Sequence, residues 1–259
     1  MRIDLNADVG EASTPDGKSA EIALLSSVTS VNIACGAHAG DLDTMHELVA
    51  AAAAAGLAIG AHPGYADRDG LGRREQHLAT SEIATLVREQ VNLLTSVARA
   101  HRVELRHVKP HGALYNQAAS DPQLAAAIAE GVRQSSPTLR LVGLAGSELI
   151  HAGGAAGLVT AAEAFADRAY RRDGTLVPRT DPRALHTDGP TAVAQALSIA
   201  IRHRVQLADG HRLDIDADTL CLHGDTPGQP SSRGWFAPRS MRPVWTSSNC
   251  RRADFSGRS

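Results

Sequence analysis

The chain has 259 residues, a formal net charge of −2 and 3% aromatic residues. This length suits one β/α barrel and allows a large core without disulfide or metal staples. The near-neutral charge and few aromatics exclude the basic, aromatic surface typical of nucleic-acid or anionic-membrane binding. Three cysteines without metal-type spacing, and a strand that begins at once in place of a signal peptide, predict a reduced, cytoplasmic protein.

Seven apolar runs are typical of buried strands, and helical segments follow most of them. The predicted strands are 2–8, 28–34, 57–61, 103–109, 139–144, 158–165 and 220–223. The predicted helices are 42–55, 81–100, 121–134, a short one after 147, and 191–203. Asp41 or Asp43 is expected to cap the first helix, and Asp121 with Pro122 to start the third. The α/β fold class that we expect is a seven-stranded, TIM-like β/α barrel.

The first strand alternates between apolar and polar side chains. Apolar residues occupy the odd positions from 3 to 9, whereas Asp4, Asn6 and Asp8 occupy the even positions. In a barrel, the apolar side packs on the helices and the polar side lies inside. Because a buried carboxylate must be paired or hydrogen-bonded, Asp4 is predicted to have a cationic or donor partner there.

Short polar clusters occur where six of the apolar runs end. The clusters are 6–11, 35–38, 62–64, 109–112, 163–168 and 223–225. The carboxyl ends of barrel strands meet at one mouth, where many loops together build an active site. Six such clusters therefore predict an enzyme.

His107, Lys109 and His111 alternate along the predicted fourth strand, so their side chains leave one face. A lysine in a cleft can polarise a carbonyl or phosphoryl oxygen, and histidines can transfer protons or bind a metal. A structural alternative stays open, in which Lys109 only pairs with Asp4 or Asp8 inside the barrel.

A general base, an orienting carboxylate and a cation at one rim suit attack of water on an amide or ester carbonyl. Asp225 shares a face with His223 and could orient a histidine. The candidate catalytic residues are Asp8, Lys109, His111, His223 and Asp225.

Further polar residues of the same clusters are candidates for binding a substrate. They are Asn6, Glu11, His38, His62, Arg68 and Arg168. The two arginines each follow an aspartate on a rim loop, where a guanidinium would bind a carboxylate or phosphate. Solvated ion pairs with Asp67 and Asp167 are the alternative.

A divalent metal is a possible cofactor. Asp8, His38 and His62 have suitable ligand types but match no compact ligand motif. His62 precedes a Pro-Gly turn and could equally be a turn residue. The metal ligands therefore stay unknown beyond these three candidates.

Two further signals are rejected. Residues 17–19 read Gly-Lys-Ser, like the end of a phosphate loop, but Gly10 lies too far back for that motif. Cys35 is expected to be a small core residue and not a nucleophile.

The composition changes after residue 228. Residues 229–259 contain both tryptophans, six arginines and a single acid, Asp254. No helical periodicity runs through them. The sequence therefore predicts one catalytic barrel domain over 1–228 and an irregular or disordered tail over 229–259.

Several long strings resemble the LamB/YcsF family. They are IDLNADVGE at 3–11, NIACGAHAGD at 32–41, GAHPG at 60–64, RHVKPHGALYN at 106–116 and CLHGD at 221–225. Residues 142–150 and 163–178 also look similar, so the resemblance covers residues 1 to about 228. Family members continue after His-Gly-Asp with an amphipathic helix, and this chain departs from that pattern.

The resemblance implies a barrel related to the glycoside hydrolase/deacetylase barrels, and ATP-dependent hydrolytic opening of the lactam 5-oxoproline to L-glutamate. It implies ATP as a cofactor, and a 5-oxoprolinase in which this chain is the A subunit and works with subunits B and C. Since no phosphate loop is present, ATP is expected to bind at an unusual site here or on the partner subunits. The alternatives are a metal-dependent deacetylase or amidohydrolase acting alone, and a non-catalytic subunit that presents the lactam.

Overall fold

The computed structural model describes residues 3–222 of the chain. Seven strands of this part form a closed parallel barrel in chain order, and the last strand pairs with both the first and the sixth. The barrel strands are β1 (Asp4–Val9), β2 (Ser30–Ala34), β3 (Ala58–His62), β4 (His107–Val108), β5 (Arg140–Leu144), β6 (Thr160–Phe165) and β9 (Thr219–Cys221). A separate antiparallel hairpin consists of β7 (Arg204–Gln206) and β8 (Arg212–Asp214). The seven-stranded β/α barrel expected from the sequence is confirmed.

Helices follow most of the barrel strands. They are α1 (Pro15–Leu24), α2 (Leu42–Ala54), α3 (Thr80–Ala100), α4 (Gly112–Ala118), α5 (Pro122–Ser135), α6 (Glu148–Ala155) and α7 (Gly189–Arg202), with a 3₁₀ turn at Leu25–Ser27. Asp41 is the cap of α2, since its carboxylate accepts a hydrogen bond from the Thr44 N–H at 2.8 Å. Asp121 caps α5 in the same way, with Pro122 in the first turn. Both start signals are confirmed.

Three elements escape the sequence analysis: α1, α4 and the hairpin β7–β8. Only Leu24 of α1 is buried, so no apolar period marks that helix. Residues 17–19 lie within α1, which agrees with the rejection of a phosphate loop. The strand predicted over 103–109 is wrong in length, because only His107–Val108 pairs as a strand. At its carboxyl end the strand stops before Pro110, which has no N–H to donate to a ladder, and the chain turns into α4 at Gly112.

The barrel interior is polar near β1, and the apolar side of β1 belongs to the hydrophobic core. The Asp4 carboxylate is fully buried and accepts hydrogen bonds from the hydroxyls of Thr29, Ser30 and Thr219 at 2.6, 2.7 and 2.6 Å. The prediction of a partner for Asp4 is thus confirmed, and these partners are hydroxyl donors.

His107 fills the interior beside β3. Its Nε2 lies 2.8 Å from Asn32 Oδ1, and the ring covers Gly60, where any Cβ would overlap it. Burial, reinforced by the positive charge of Lys109, lowers the pKa of His107 to about 3. His107 is therefore a neutral packing residue of the interior.

None of the helices within residues 3–222 combines the length and hydropathy that crossing a bilayer requires.

Candidate active site at the carboxyl end of the barrel

The carboxyl ends of the first four strands bring most of the candidate residues to one mouth. These residues are Asp8 and Glu11 from β1 and the turn after it, His38 after β2, His62 at the end of β3, and Lys109 and His111 after β4. They are separated by up to about a hundred positions in the chain, and the barrel closure alone brings them together.

Glu21 on α1 shapes the turn that carries Glu11. Its carboxylate accepts hydrogen bonds from the backbone N–H groups of Gly10, Glu11 and Ala12 at 2.9, 3.0 and 2.9 Å. Gly10 has a φ of +86°, a conformation that favours glycine. Glu21 is therefore a positioning residue that the sequence analysis missed, since nothing local marks a helix that is almost wholly outside the core.

Two backbone carbonyls determine the tautomers of His62 and His111. His62 Nδ1 lies 2.7 Å from the Lys109 carbonyl oxygen, and His111 Nε2 lies 2.8 Å from that of Leu71. A carbonyl only accepts, so these two nitrogens carry the hydrogens. The other two nitrogens, His62 Nε2 and His111 Nδ1, face each other at 3.0 Å.

Carboxylates surround the same point. Glu11 Oε1 lies 3.0 Å from His111 Nδ1 and 3.7 Å from His62 Nε2, and Asp8 Oδ2 lies 3.4 Å from His62 Nε2. Burial opposes ionisation of Glu11, but contacts with His111, His38 and His62 hold the pKa of its carboxyl well below the usual range. Glu11 is thus ionised, and it is the shared member of both clusters described below.

His38 is buried beside this group. Its ring stacks on that of His111 with centroids 3.9 Å apart, and its Nε2 lies 3.7 Å from Glu11 Oε1. Neither of its ring nitrogens has a hydrogen-bond partner within the described residues. Burial lowers the pKa of His38 to about 4, against the opposing effect of Glu11, so the ring is neutral near pH 7.

Lys109 lies beneath this group, 2% exposed. Its Nζ is 3.0 Å from Asp8 Oδ1, 2.8 Å from Glu163 Oε1, 3.2 Å from Asn6 Oδ1 and 3.2 Å from Cys221 Sγ. Burial opposes its charge, but Asp8, Cys221 and Glu163 raise the pKa of Lys109 well above its usual value. Lys109 therefore forms the ion pair with Asp8 that was considered as a structural alternative. Asp4 accepts hydrogen bonds from hydroxyl groups.

Glu163 and Tyr115 complete the network, and neither is among the site residues predicted from the sequence. Glu163 is fully buried; Asn6 donates to its Oε1 at 2.9 Å, and the Tyr115 hydroxyl donates to its Oε2 at 2.7 Å. Glu163 is the first residue of the predicted cluster 163–168. An acidic residue at the end of a barrel strand could therefore have identified it as a site residue. Tyr115 lies on an unpredicted helix, and only tertiary structure brings it to Glu163.

Arg68 and Arg168 hold loops through backbone carbonyls. Arg68 Nη1 donates to the oxygens of Gly36 and Gly40 at 2.7 and 2.9 Å. Arg168 is 5% exposed, and its Nη2 donates to the Val177 oxygen at 2.7 Å. Both arginines were predicted to bind the substrate. In the structure their guanidinium groups already donate hydrogen bonds to backbone carbonyls of the protein.

Two groups of ligand-type residues lie within residues 3–222. They are Glu11, His38 and His111, and Asp8, Glu11 and His62, and the ligand atoms of each group lie within 4.8 Å of one another. Both groups need Glu11, which was predicted from the sequence to bind the substrate. Asp8, His38 and His62, the candidate metal ligands of the sequence analysis, are divided between them.

His223 and Asp225 lie outside the described residues, so their proposed catalytic roles stay predictions, as does the expected tail over 229–259. Cys35 is buried, and its thiol lies 3.2 Å from the Ile33 carbonyl oxygen. Burial raises the pKa of Cys35 to about 12, as expected of a core residue and not of a nucleophile.

The fold and this cluster define a β/α barrel with a polar candidate active site at the carboxyl ends of its strands. Residues 3–233 match the pattern of the LamB/YcsF family, and the chain belongs to that family. The resemblance noted in the sequence is thus confirmed.

Two similar proteins carry informative names. The A subunit of the 5-oxoprolinase of Methylococcus capsulatus is 53% identical over 225 residues, which span 87% of this chain and 86% of that relative. The crystal structure of the lactam utilization protein from Thermus thermophilus has a TM-score of 0.80 and 41% identity, over 86% of this chain and 90% of that one. A structure from Enterococcus faecalis, with a TM-score of 0.50 and 13% identity over 92% of this chain and 87% of that one, shares the fold alone.

Proposed function

We propose that this chain is the A subunit of an ATP-dependent 5-oxoprolinase, which opens 5-oxoproline to L-glutamate together with subunits B and C. The observation that carries the proposal is the buried ion network of Lys109 with Asp8 and Glu163 at the barrel mouth. The 53% identity to a relative named as the A subunit of 5-oxoprolinase supports the choice of substrate and the multi-subunit assembly.

The proposed reaction must activate a poor electrophile. A lactam is a resonance-stabilised amide, and transfer of the γ-phosphoryl group of ATP to its carbonyl oxygen releases ADP and makes the ring carbon electrophilic. One water adds to that carbon and the ring C–N bond breaks, and a second water then releases phosphate. The two waters balance the formation of L-glutamate and phosphate.

Asp8 is the group that we propose as the base for water. Its side chain is 15% exposed at the mouth, and Asn32 and Lys109 hold its Oδ1 at 2.8 and 3.0 Å. Lys109 stays an ammonium because of its raised pKa, so it is unsuited to be a base. In this proposal it orients Asp8 and stabilises negative charge that develops on the lactam.

Arg73 is the cation that we propose for the carboxylate of 5-oxoproline, in place of Arg68 and Arg168. Its Nη2 lies 3.8 Å from Glu11 Oε2, and its side chain is 40% exposed, so a ligand in the mouth can reach it. A guanidinium binds a carboxylate with two parallel hydrogen bonds.

ATP is proposed as the cosubstrate, held outside any phosphate loop of this chain. Residues 17–19, which resemble the end of such a loop in sequence, are helical in α1. A nucleotide site on one of the two partner subunits, or one shared with this barrel, fits that observation.

The test is L-glutamate release from 5-oxoproline, with and without ATP, for this chain alone and mixed with subunits B and C. We expect ATP-dependent glutamate only in the full mixture. Arg73→Ala is expected to raise KM for 5-oxoproline about tenfold or more, while Arg172→Ala, which removes an exposed partner of Asp209, is the matched control. Absence of glutamate from every mixture would reject the assignment.

A metal-dependent amidohydrolase that acts alone is the second candidate function. The observation that favours it is the cluster of carboxylates and histidines around Glu11. ATP-independent hydrolysis of an amide by the isolated chain would support this alternative and exclude the first.

A further inference from the structure

Hydrogen-bond acceptor atoms surround the point between His62 and His111. With hydrogens on His62 Nδ1 and His111 Nε2, the facing nitrogens present lone pairs to each other at 3.0 Å. Glu11 Oε1 adds a third acceptor at 3.0 Å from His111 Nδ1, and Asp8 Oδ2 a fourth at 3.4 Å from His62 Nε2. Acceptors alone repel one another at these distances, and a cation between them removes that repulsion.

The spacing of these atoms matches the shell of a metal ion. Nitrogen and oxygen ligands lie about 2.0–2.2 Å from Zn²⁺, so two ligands at a tetrahedral angle are about 3.4 Å apart. The distances among Glu11 Oε1, His62 Nε2 and His111 Nδ1 are 3.0, 3.0 and 3.7 Å. One ion at the centre of these atoms would contact all of them.

The ring nitrogens of His62 and His111 that face away from the cluster also support a metal site. Histidines that bind a metal usually donate their other N–H to a carbonyl or carboxylate, which fixes the ring and the tautomer. His62 and His111 both make such a bond, to the carbonyls of Lys109 and Leu71. The lone pairs are thereby aimed into the cluster before any ion binds.

His38 is an independent observation that points to a ligand. It is 0% exposed, and neither of its ring nitrogens has a hydrogen-bond partner within residues 3–222. Glu11 Oε1, 3.7 Å from His38 Nε2, is also buried without a hydrogen-bond partner there. A buried imidazole and carboxylate oxygen without hydrogen bonds are costly, unless a ligand occupies the space that they share.

We propose that Glu11, His62 and His111 bind one divalent first-row transition-metal ion, with Asp8 and His38 at the edge of its shell. Imidazole ligands favour ions such as Zn²⁺ or Ni²⁺ over Ca²⁺ and Mg²⁺, which prefer oxygen ligands. When bound, the ion would supply a Lewis acid next to Asp8. The site is defined on this chain alone and does not depend on the proposed lactam reaction.

The test measures metal binding by the purified full chain, stripped with a chelator and free of lactam, ATP and other subunits. Zn²⁺ is titrated by calorimetry, and Co²⁺ is added separately because its visible spectrum reports the ligand field. We expect one Zn²⁺ per chain, and a Co²⁺ spectrum that Zn²⁺ abolishes. Glu11→Gln, which is nearly isosteric, is expected to weaken binding about 100-fold or more, beyond the loss typical of outer partners.

The surface pair of His46 and His101, with Nδ1 and Nε2 3.0 Å apart, provides the matched control. His46→Ala is expected to leave the stoichiometry and the Co²⁺ spectrum unchanged. Circular dichroism verifies that Glu11→Gln is folded, and His111→Ala gives a second loss of binding if it is not. The proposal is overturned if the wild-type chain binds no Zn²⁺ saturably, if folded Glu11→Gln binds as the wild type does, or if His46→Ala abolishes binding. Since no substrate is present, failure here leaves the glutamate assay unaffected.

Discussion

Lys109 shows how single residues of the barrel mouth depend on their neighbours. Its ammonium lies within 3.3 Å of atoms from Asp8, Glu163, Asn6 and Cys221. The lysine therefore places one positive charge between two carboxylates, at 3.0 Å from Asp8 and 2.8 Å from Glu163. Removal of such a partner leaves uncompensated charge, and that penalty exceeds the net value of the pair itself.

Lys109→Ala is expected to lower the free energy of unfolding by about 3–5 kcal/mol, since it leaves Asp8 and Glu163 without their buried cation. Turnover of 5-oxoproline in the reconstituted mixture is expected to fall about 100-fold or more. Urea denaturation and glutamate release measure the two effects. Lys18→Ala, at the only other lysine of the sequence, is the control and should change neither. Full turnover with Lys109→Ala would refute the role proposed for Lys109.

At the scale of the elements, β3 and β4 are bound by the fit of His107 over Gly60. These two residues are also partners in the strand register. In the sequence, His107 shares a face with the catalytic candidates Lys109 and His111. In the structure it fills the interior of the barrel, where a residue without a side chain faces it. Alternation along a strand predicts the face on which a side chain lies. It does not predict whether that side chain is packed inside the barrel or reaches the mouth.

Gly60→Ala is expected to lower the free energy of unfolding by about 1–3 kcal/mol, because the new methyl group overlaps the ring of His107. Gly154→Ala is the matched control, since its Cβ meets nothing within 4 Å and lies in α6. That change is expected to stabilise the protein by about 0.5–1 kcal/mol. Urea denaturation of both variants checks the pair, and equal stabilities would contradict the packing described for β3.

At the scale of the whole molecule, a polar barrel interior makes the fold sensitive to acid. The unfolded pKa of histidine is about 6.5. Burial lowers the pKa of His107 to about 3 in the folded chain. Between these values the unfolded chain binds a proton that the folded chain does not. Stability contributed by neutral His107 is therefore complete above about pH 6.5 and falls as the pH decreases toward the folded pKa.

His107→Gln is expected to reduce this acid sensitivity, by roughly 1 kcal/mol for each pH unit below about 6.5. The measurement is the free energy of unfolding by urea at about pH 7 and about pH 4.5, for the variant and the wild type. Comparison of the two differences removes the effect of other titrating groups. The same pH dependence in both proteins would mean that folding does not lower the pKa of His107.

The architecture of the barrel could be predicted from the sequence. The number of barrel strands, the side taken by each residue of β1 and the cap Asp121 were predictable, and the cap of α2 was limited to Asp41 or Asp43, because periodicity and capping are local properties of the chain. The meeting of polar clusters at one mouth followed from the parallel barrel, without knowledge of any contact.

Which atoms face one another could not be predicted and is known from the folded chain. Asn6 and Glu163 are 157 positions apart, and no local pattern joins them. The carbonyls that fix His62 and His111 lie 47 and 40 positions away in the chain, and Arg68 binds the carbonyl of Gly36, 32 positions away. A side chain's chemical role depends on the donors and acceptors around it, and those are chosen by packing across the barrel and not by neighbours in the sequence.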